Sequence, residues 1–362
     1  MQPDSGELEV SIFGRGFGEA VAIHLGSNNW VLVDSLLSRS GEPASLEYLR
    51  RIGVDTESDV KLIVASHWHD DHTAGLAAMY KSAKYAFLAL PGVLNDSKMA
   101  AFCHDVSRSG SDRVPSGVRE IGLIAAEQTT KGRPPLLMAA PNASLWRRDG
   151  NQMAHQLAVS VEAISPSHLD VQTFLKRIAV LPPIPPGSRA EPFDENDVAV
   201  ALWVSVGDRR ILLGADLEVC GAQRGWDAVL QSPAQLIGRA SVFKIPHHGS
   251  PNADHADVWR LLLDPNPMAA LTTYNRGRKL PSADDVERIL SRSPNAYVTS
   301  GLQRRASDQL QIVRKTCRDF NIELHQRPKQ VGHVRFRLRV AESSQWKCDL
   351  FEGARHVRDL EI

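Results

Sequence analysis

The sequence predicts an α/β protein in which two β-sheets pack face to face with helices on the outside. Three observations carry that expectation. Strand-like runs gather in two series, one at the N-terminus and one beginning near residue 155. Helix-like stretches follow each series. The densest polar cluster, "HWHDDH" from His67 to His72, stands between an apolar run and a helix. That is a strand's carboxyl end, where α/β sheets place their ligands.

The first series reads as "LEVSIFG", "EAVAIHLG" and "NWVLVDS", separated by turns that contain Gly or Asn. A helix over "SLEYLRRIG" follows, then the apolar, β-branched strand "VKLIVAS" that leads into the cluster. "HTAGLAAMYKS" reads as a helix with Leu76 and Met79 or Tyr80 on one face. Beyond Leu90 the pattern loosens, and Gly, Ser and Pro breaks mark residues 91–150 as an insertion of a helix or two and loops. The second series opens with "HQLAVSVEAIS" and a helix near "DVQTFLKRIAVL". The prolines of "PPIPPGSRAEPFDEND" exclude regular structure, after which "VAVALWVSV", "RRILLGAD" and "SVFKIPHH" read as strands. Helices are expected at "ADVWRLLL" and "ADDVERILSR", strands at "AALTTYN" and "AYVTS". Residues 301–362 form a C-terminal extension.

Composition narrows the class. At 362 residues, 43% apolar and 23% charged, the chain can bury the core of one large domain or two ordinary ones. Its 42 basic and 42 acidic residues cancel, so any basic patch is local. No apolar run approaches the roughly 20 residues of a membrane helix. The N-terminus lacks a basic-then-apolar signal pattern. Cys103, Cys220, Cys317 and Cys348 are far apart with no CxxC pair, which points to reduced thiols in a cytoplasmic protein.

His67 and His69 are two apart in extended chain, so their side chains fall on one side. Asp71 and His72 begin the helix and reach a neighbouring position. Imidazole with carboxylate suits Zn²⁺, and also Mn²⁺ or Fe²⁺. Four donors from one turn would crowd a single ion, whereas two adjacent ions accommodate them. Other strand ends add donors: Asp34 after "WVLV", Asp216 after "ILLG", and His247 and His248 after "FKIP". Gly214 stands just before Asp216, where the backbone must pass closely. An Asp after a strand is, alone, more often a turn or helix cap; its joint occurrence with the cluster carries the weight. "GRGFGE" lacks GxGxxG spacing and joins two strands, so it reads as a tight hairpin turn beside the site.

His67-Trp68-His69-Asp70-Asp71-His72 as HxHxDH, with Asp34 before it and "GAD" and "HHGS" after it, resembles the metallo-β-lactamase fold superfamily. "NDVAVALWVSVGDRRILLGADLE" and "FKIPHHGS" are similar to one branch, the hydrolase domain of the competence DNA-uptake channel family, in its free-standing soluble form. The resemblance implies an αββα sandwich of two mixed sheets over the whole of 1–362, and two divalent metal ions, Zn or Mn. His67 and His69 would hold the first ion; Asp71, His72 and one of the "HHGS" histidines the second. Asp216 would bridge both, and Asp34 would orient a ligand histidine from behind. His247 is expected as the ligand, with His248 facing the substrate. The family usually adds a mid-chain histidine to the first ion; here "VEAISPSH" puts Ser165-Pro166 at that position. His168, three residues on, is expected to complete the site, with His155 the weaker alternative.

A water shared by two cations about 3.5–4 Å apart loses a proton near neutral pH and becomes a nucleophile. That chemistry suits phosphodiesters, thioesters, lactones and lactams alike. From Gly301 to Arg339 there are ten Lys/Arg against three Asp/Glu, and "HVRFRLRV" turns Arg335, Arg337 and Arg339 to one face. Such a strand either tracks a phosphate backbone or is an edge strand kept unpaired by charge. With the resemblance, the expected function is a metal-dependent phosphodiesterase or nuclease acting on DNA or RNA. The alternatives are a hydrolase of a small ester, thioester or lactone, and a hydrolase-fold subunit of a larger assembly.

Overall fold

Alternating apolar residues over β1 (Glu7–Gly14) and β2 (Glu19–Leu25) pair as an antiparallel hairpin in which Gly14 faces Glu19. The turn between them runs through Gly16 and Gly18 at φ of 91° and 98°, which glycine adopts without strain. The "GRGFGE" turn is therefore the expected hairpin. In this computed structural model the described residues are 1–97, 99, 116–151, 157–180, 195–232, 236–302, 313, 315–318, 320, 330–340 and 345–362.

The chain continues with β3 (Trp30–Val33), β4 (Val60–Val64), β5 (Phe87–Pro91) and β6 (Leu136–Ala139) in the same sheet. A second sheet is built from β7 (Ala143–Arg148), β8 (Val159–Ala163), β9 (Leu202–Val206), β10 (Arg209–Leu213), β11 (Ala240–Lys244), β12 (Leu263–Leu271) and β13 (Ala296–Val298). β14 (Gly332–Arg339) and β15 (Lys347–Phe351) return to the first sheet, and β16 (Arg355–His356) joins the second. The first sheet runs β15-β14-β1-β2-β3-β4-β5-β6 and the second β16-β13-β12-β11-β10-β9-β8-β7. Both are mixed: β3 to β6 and β10 to β13 run parallel, the remaining neighbours antiparallel. This is the expected αββα sandwich.

Val10, Ile12, Val21, Ile23 and Phe336 of the first sheet meet Val161, Leu202 and Val204 of the second in the central core. Burying each such side chain contributes about 1.5–3 kcal/mol. Leu46, Leu49, Met79 and Tyr80 cover the outer face of the first sheet, and Trp226, Val229 and Ile289 that of the second. The outer helices start where the sequence supplies caps: Ser167 with Asp170, and Ser282 with Asp285, each form a reciprocal capping box.

Three expectations change. Residues 91–150 hold a helix, Ser116–Gln128, but also β6 and β7, which extend one sheet each. "ADVWRLLL" forms only a π turn, Val258–Leu262, that runs straight into β12. The arginine strand β14 is no edge, because β1 and β15 flank it. Its cations are occupied: Arg335 pairs with Asp349 at 2.8 Å, Arg337 with Glu9 at 2.7 Å, and Arg339 with Asp4 and Glu7 at 3.1 Å. No helix among the described residues is long and apolar enough to cross a membrane.

Candidate metal centre

Four strand ends converge on one place. β3 ends at Asp34, β4 runs into the extended Ser66–His69 and the single turn Asp70–Thr73, β10 delivers Asp216, and β11 delivers His247 and His248. The backbone is strained at these ends: Asp34, Ala215, His247 and His248 all take left-handed φ, at 57°, 45°, 45° and 54°. Non-glycine residues in that region cost about 1–3 kcal/mol each and gather at functional sites. At Gly214 a Cβ would fall 2.9 Å from Pro246 Cβ, so the two loops can meet only at glycine.

Hydrogen bonds fix how each imidazole faces. His72 Nδ1 donates to Asp34 Oδ2 at 2.8 Å, which turns Nε2 to the opposite side. Ser66 Oγ donates to the same Asp34 oxygen at 2.7 Å and so accepts from His67 Nδ1 at 2.9 Å. Thr272 Oγ1 donates to Glu19 at 2.7 Å and accepts from His248 Nδ1 at 2.9 Å. His69 turns Nε2 to Glu195. One nitrogen of each ring is thereby held from behind, and His67 Nε2, His69 Nδ1, His72 Nε2 and His248 Nε2 face inward. Such outer partners set the tautomer and orientation of metal-binding histidines.

The inward atoms crowd together. Asp216 Oδ2 lies 3.4 Å from His72 Nε2, 3.9 Å from His248 Nε2 and 4.0 Å from His67 Nε2. Asp71 Oδ2 is 3.4 Å from His248 Nε2 and 4.0 Å from His72 Nε2. His67 Nε2 and His69 Nδ1 face each other at 3.0 Å, where two lone pairs repel unless a cation or a proton lies between them. His72 Nε2 is buried and makes no hydrogen bond. Behind Asp216, the buried Lys244 ammonium stands 3.8 Å from Oδ1, contacts Glu19 at 2.5 Å and donates to Ala215 O at 2.8 Å.

Electrostatics separates the groups. Burial, and then the neighbouring imidazoles His72 and His69, hold His67 well below the usual histidine range. Burial opposes charge on His72 too, yet Asp216, Asp34 and Asp71 hold it well above that range. Asp71 and Asp216 lie below the usual carboxylate range: burial works against them, and His72 foremost outweighs it. Anionic carboxylates amid inward-facing imidazole nitrogens are the donor set of a divalent cation site. His67, His72 and Asp216 form one group able to hold an ion, and Asp71, His72 and His248 a second. The residues fit divalent metal ions.

Residues 13–176 match the model of the metallo-beta-lactamase superfamily. Members of that superfamily are typically metal-dependent hydrolases that bind divalent metals, zinc above all. Among solved structures, a metallo-beta-lactamase of Cronobacter sakazakii is 16% identical, covering 67% of this chain and 77% of that one at a TM-score of 0.34. The metallo-beta-lactamase fold protein YhfI of Bacillus subtilis is 13% identical over 66% and 70%, at 0.34. A CmlA beta-hydroxylase mutant is 14% identical over 94% of this chain and 55% of its own, at 0.41. No curated protein sequence matches the chain.

Two of the expected ligand residues sit differently in the structure. His248 is in the cluster, while the half-buried His247 turns Nδ1 to Glu218 at 3.0 Å, the reverse of the expected pair. Both residues take left-handed φ, and the second ring faces the cluster. His168 is exposed at the start of the helix His168–Ala179 and belongs to no donor group among the described residues. Ser165 instead ties two strand ends, donating to Ala199 O and accepting from Ala201 N, both at 2.7 Å. His155 lies outside the described residues. Glu195, Glu19, Lys244 and Thr272 were not anticipated. Only Lys244, a lysine ending an apolar strand run in "SVFKIP", carried a visible signal.

Proposed function

We propose that the protein is a hydrolase working with two divalent cations, zinc or manganese, and that its substrate is a phosphodiester. The observation that carries the reading is Asp216 Oδ2, set 3.4–4.0 Å from three inward-facing imidazole nitrogens. In this reading His67 and His69 would hold one cation and Asp71, His72 and His248 the other, with the Asp216 carboxylate available to both. The cations would supply an activated water and polarise the bond under attack. The chain's own part is positioning: Asp34, Ser66, Glu195 and Thr272 keep the four rings aimed, and Lys244 offsets the charge of Asp216.

A paired-cation site suits in-line displacement at phosphorus, where attacking and leaving oxygens both need stabilising. The nuclease form of the proposal, and kinship with the competence DNA-uptake hydrolases, rest on "NDVAVALWVSVGDRRILLGADLE" and "FKIPHHGS" and not on β14, whose arginines are paired internally. Cytoplasmic placement rests on the free thiols Cys220, Cys317 and Cys348. The test is turnover of bis(p-nitrophenyl) phosphate, single- and double-stranded DNA, RNA and a thioester by metal-loaded protein. Cleavage of a diester is expected. Turnover of the thioester alone would overturn the substrate class.

A further inference from the structure

The hairpin turn after Gly14 and the loop Tyr274–Leu280 lock together beside the metal centre. Asn275 N donates to Gly16 O at 2.7 Å, and Tyr274 and Leu280 exchange both backbone hydrogen bonds at 2.9 Å. The approach is tight, since a Cβ on Gly16 would lie 2.1 Å from Asn275 Nδ2. A ladder of flat groups leads outward from the cluster. The Tyr274 ring lies 5.2 Å from that of His248, and the Phe17 ring 5.9 Å from Tyr274. The Arg276 guanidinium then lies 3.3 Å from the Phe17 ring centre. Tyr274 and Phe17 are half-buried and Arg276 is exposed, so the ladder runs from the cluster to solvent.

Arg15 shares this rim, since it precedes Gly16 and Arg276 follows Asn275, the two residues joined across the turn. It is half-buried, and burial together with the nearby Arg276 charge lowers its pKa. Among the described residues neither Arg15 nor Arg276 has a carboxylate partner, whereas Arg335, Arg337 and Arg339 each do. Two guanidinium groups that repel each other beside a hydrolytic centre are stabilised by a shared anion. The planar fork of arginine fits a phosphate in two hydrogen bonds. We propose that Arg15 and Arg276 form a clamp for a phosphate flanking the scissile one, which makes the substrate a chain of phosphodiesters rather than an isolated diester. The inference rests on the phosphodiesterase reading.

The test compares wild type with Arg15→Gln/Arg276→Gln, after showing equal metal content and melting temperature. Two substrates are used: bis(p-nitrophenyl) phosphate, which has no flanking phosphate, and a thymidine octanucleotide. The variant should lose about tenfold or more in kcat/KM on the octanucleotide, mainly through KM, and stay within about twofold on the small diester. The slope of log affinity against log salt, read by anisotropy with a labelled phosphorothioate octanucleotide, should fall by about 0.7 per lost contact. An unchanged octanucleotide KM and salt slope, or equal losses on both substrates, would overturn the clamp. If wild type cleaves neither substrate, the phosphodiesterase reading fails by itself. The anisotropy arm then judges the clamp alone: weaker binding in the variant supports it, and equal binding removes it.

Discussion

The histidine pair His247-His248 shows what a single residue's conformation decides. Both lie at the end of β11 and the sequence offers no means of choosing between them, because the choice depends on the left-handed φ of each. The geometry predicts that His248→Ala lowers bound metal while His247→Ala and His168→Ala keep wild-type content, checked by elemental analysis after gentle dialysis. Loss of metal in His247→Ala with none in His248→Ala would reverse the assignment. Lys244 gives a second residue-level outcome. Its ammonium and Glu19 are both buried and in contact. Lys244→Met strands a buried carboxylate and should cost about 3–5 kcal/mol in urea unfolding. Glu19→Gln/Lys244→Met should recover part of that loss; a double variant no more stable than the single would show that the pair is not coupled. The HxHxDH cluster, Asp34 and Asp216 were legible because each follows an apolar strand. Glu195 and Thr272 were not, since they act through partners 126 and 24 residues away that only the fold brings near.

Among elements, β1 to β4 and β8 to β11 were legible because alternation and β-branched runs mark them directly. β6 and β7 were not: short, half-buried edge strands have weak patterns, and Pro and Gly surround them. β14 was legible as a strand and misplaced as an edge. Period-two alternation shows which residues share a face, but the carboxylates Glu9, Glu7, Asp4 and Asp349 that answer its arginines come from elsewhere in the chain. On β2, His24 makes a pH prediction. Burial holds it down to about 4, although its Nδ1 donates to Glu7 O at 2.8 Å. The unfolded chain gains a proton there near pH 6.5 and the folded one does not. Stability therefore falls as pH drops from about 6.5 to 4, by roughly 3 kcal/mol from this group. The His24→Gln variant should show a correspondingly flatter decline in denaturant midpoints over that range. An equal decline in both proteins would remove His24 from the acid response.

At the scale of the molecule, two sheets bring the ends of β3, β4, β10 and β11 to one rim, so that donors from residues 34 to 248 meet in a single cluster. The sandwich was legible from two strand series with helices after each; the loop contacts that flank the cluster were not, because they join residues such as Gly16 and Asn275 across the chain. The central claim is that this rim holds two cations through Asp216. It is tested most directly by counting metal. Wild type and Asp216→Ala are loaded with Zn²⁺ or Mn²⁺, freed of excess by gel filtration and analysed for metal per chain, with circular dichroism confirming the fold. Two ions per chain in wild type and loss of both with the single substitution is the predicted result. A folded Asp216→Ala that keeps two ions, or a wild type that retains none, would contradict it.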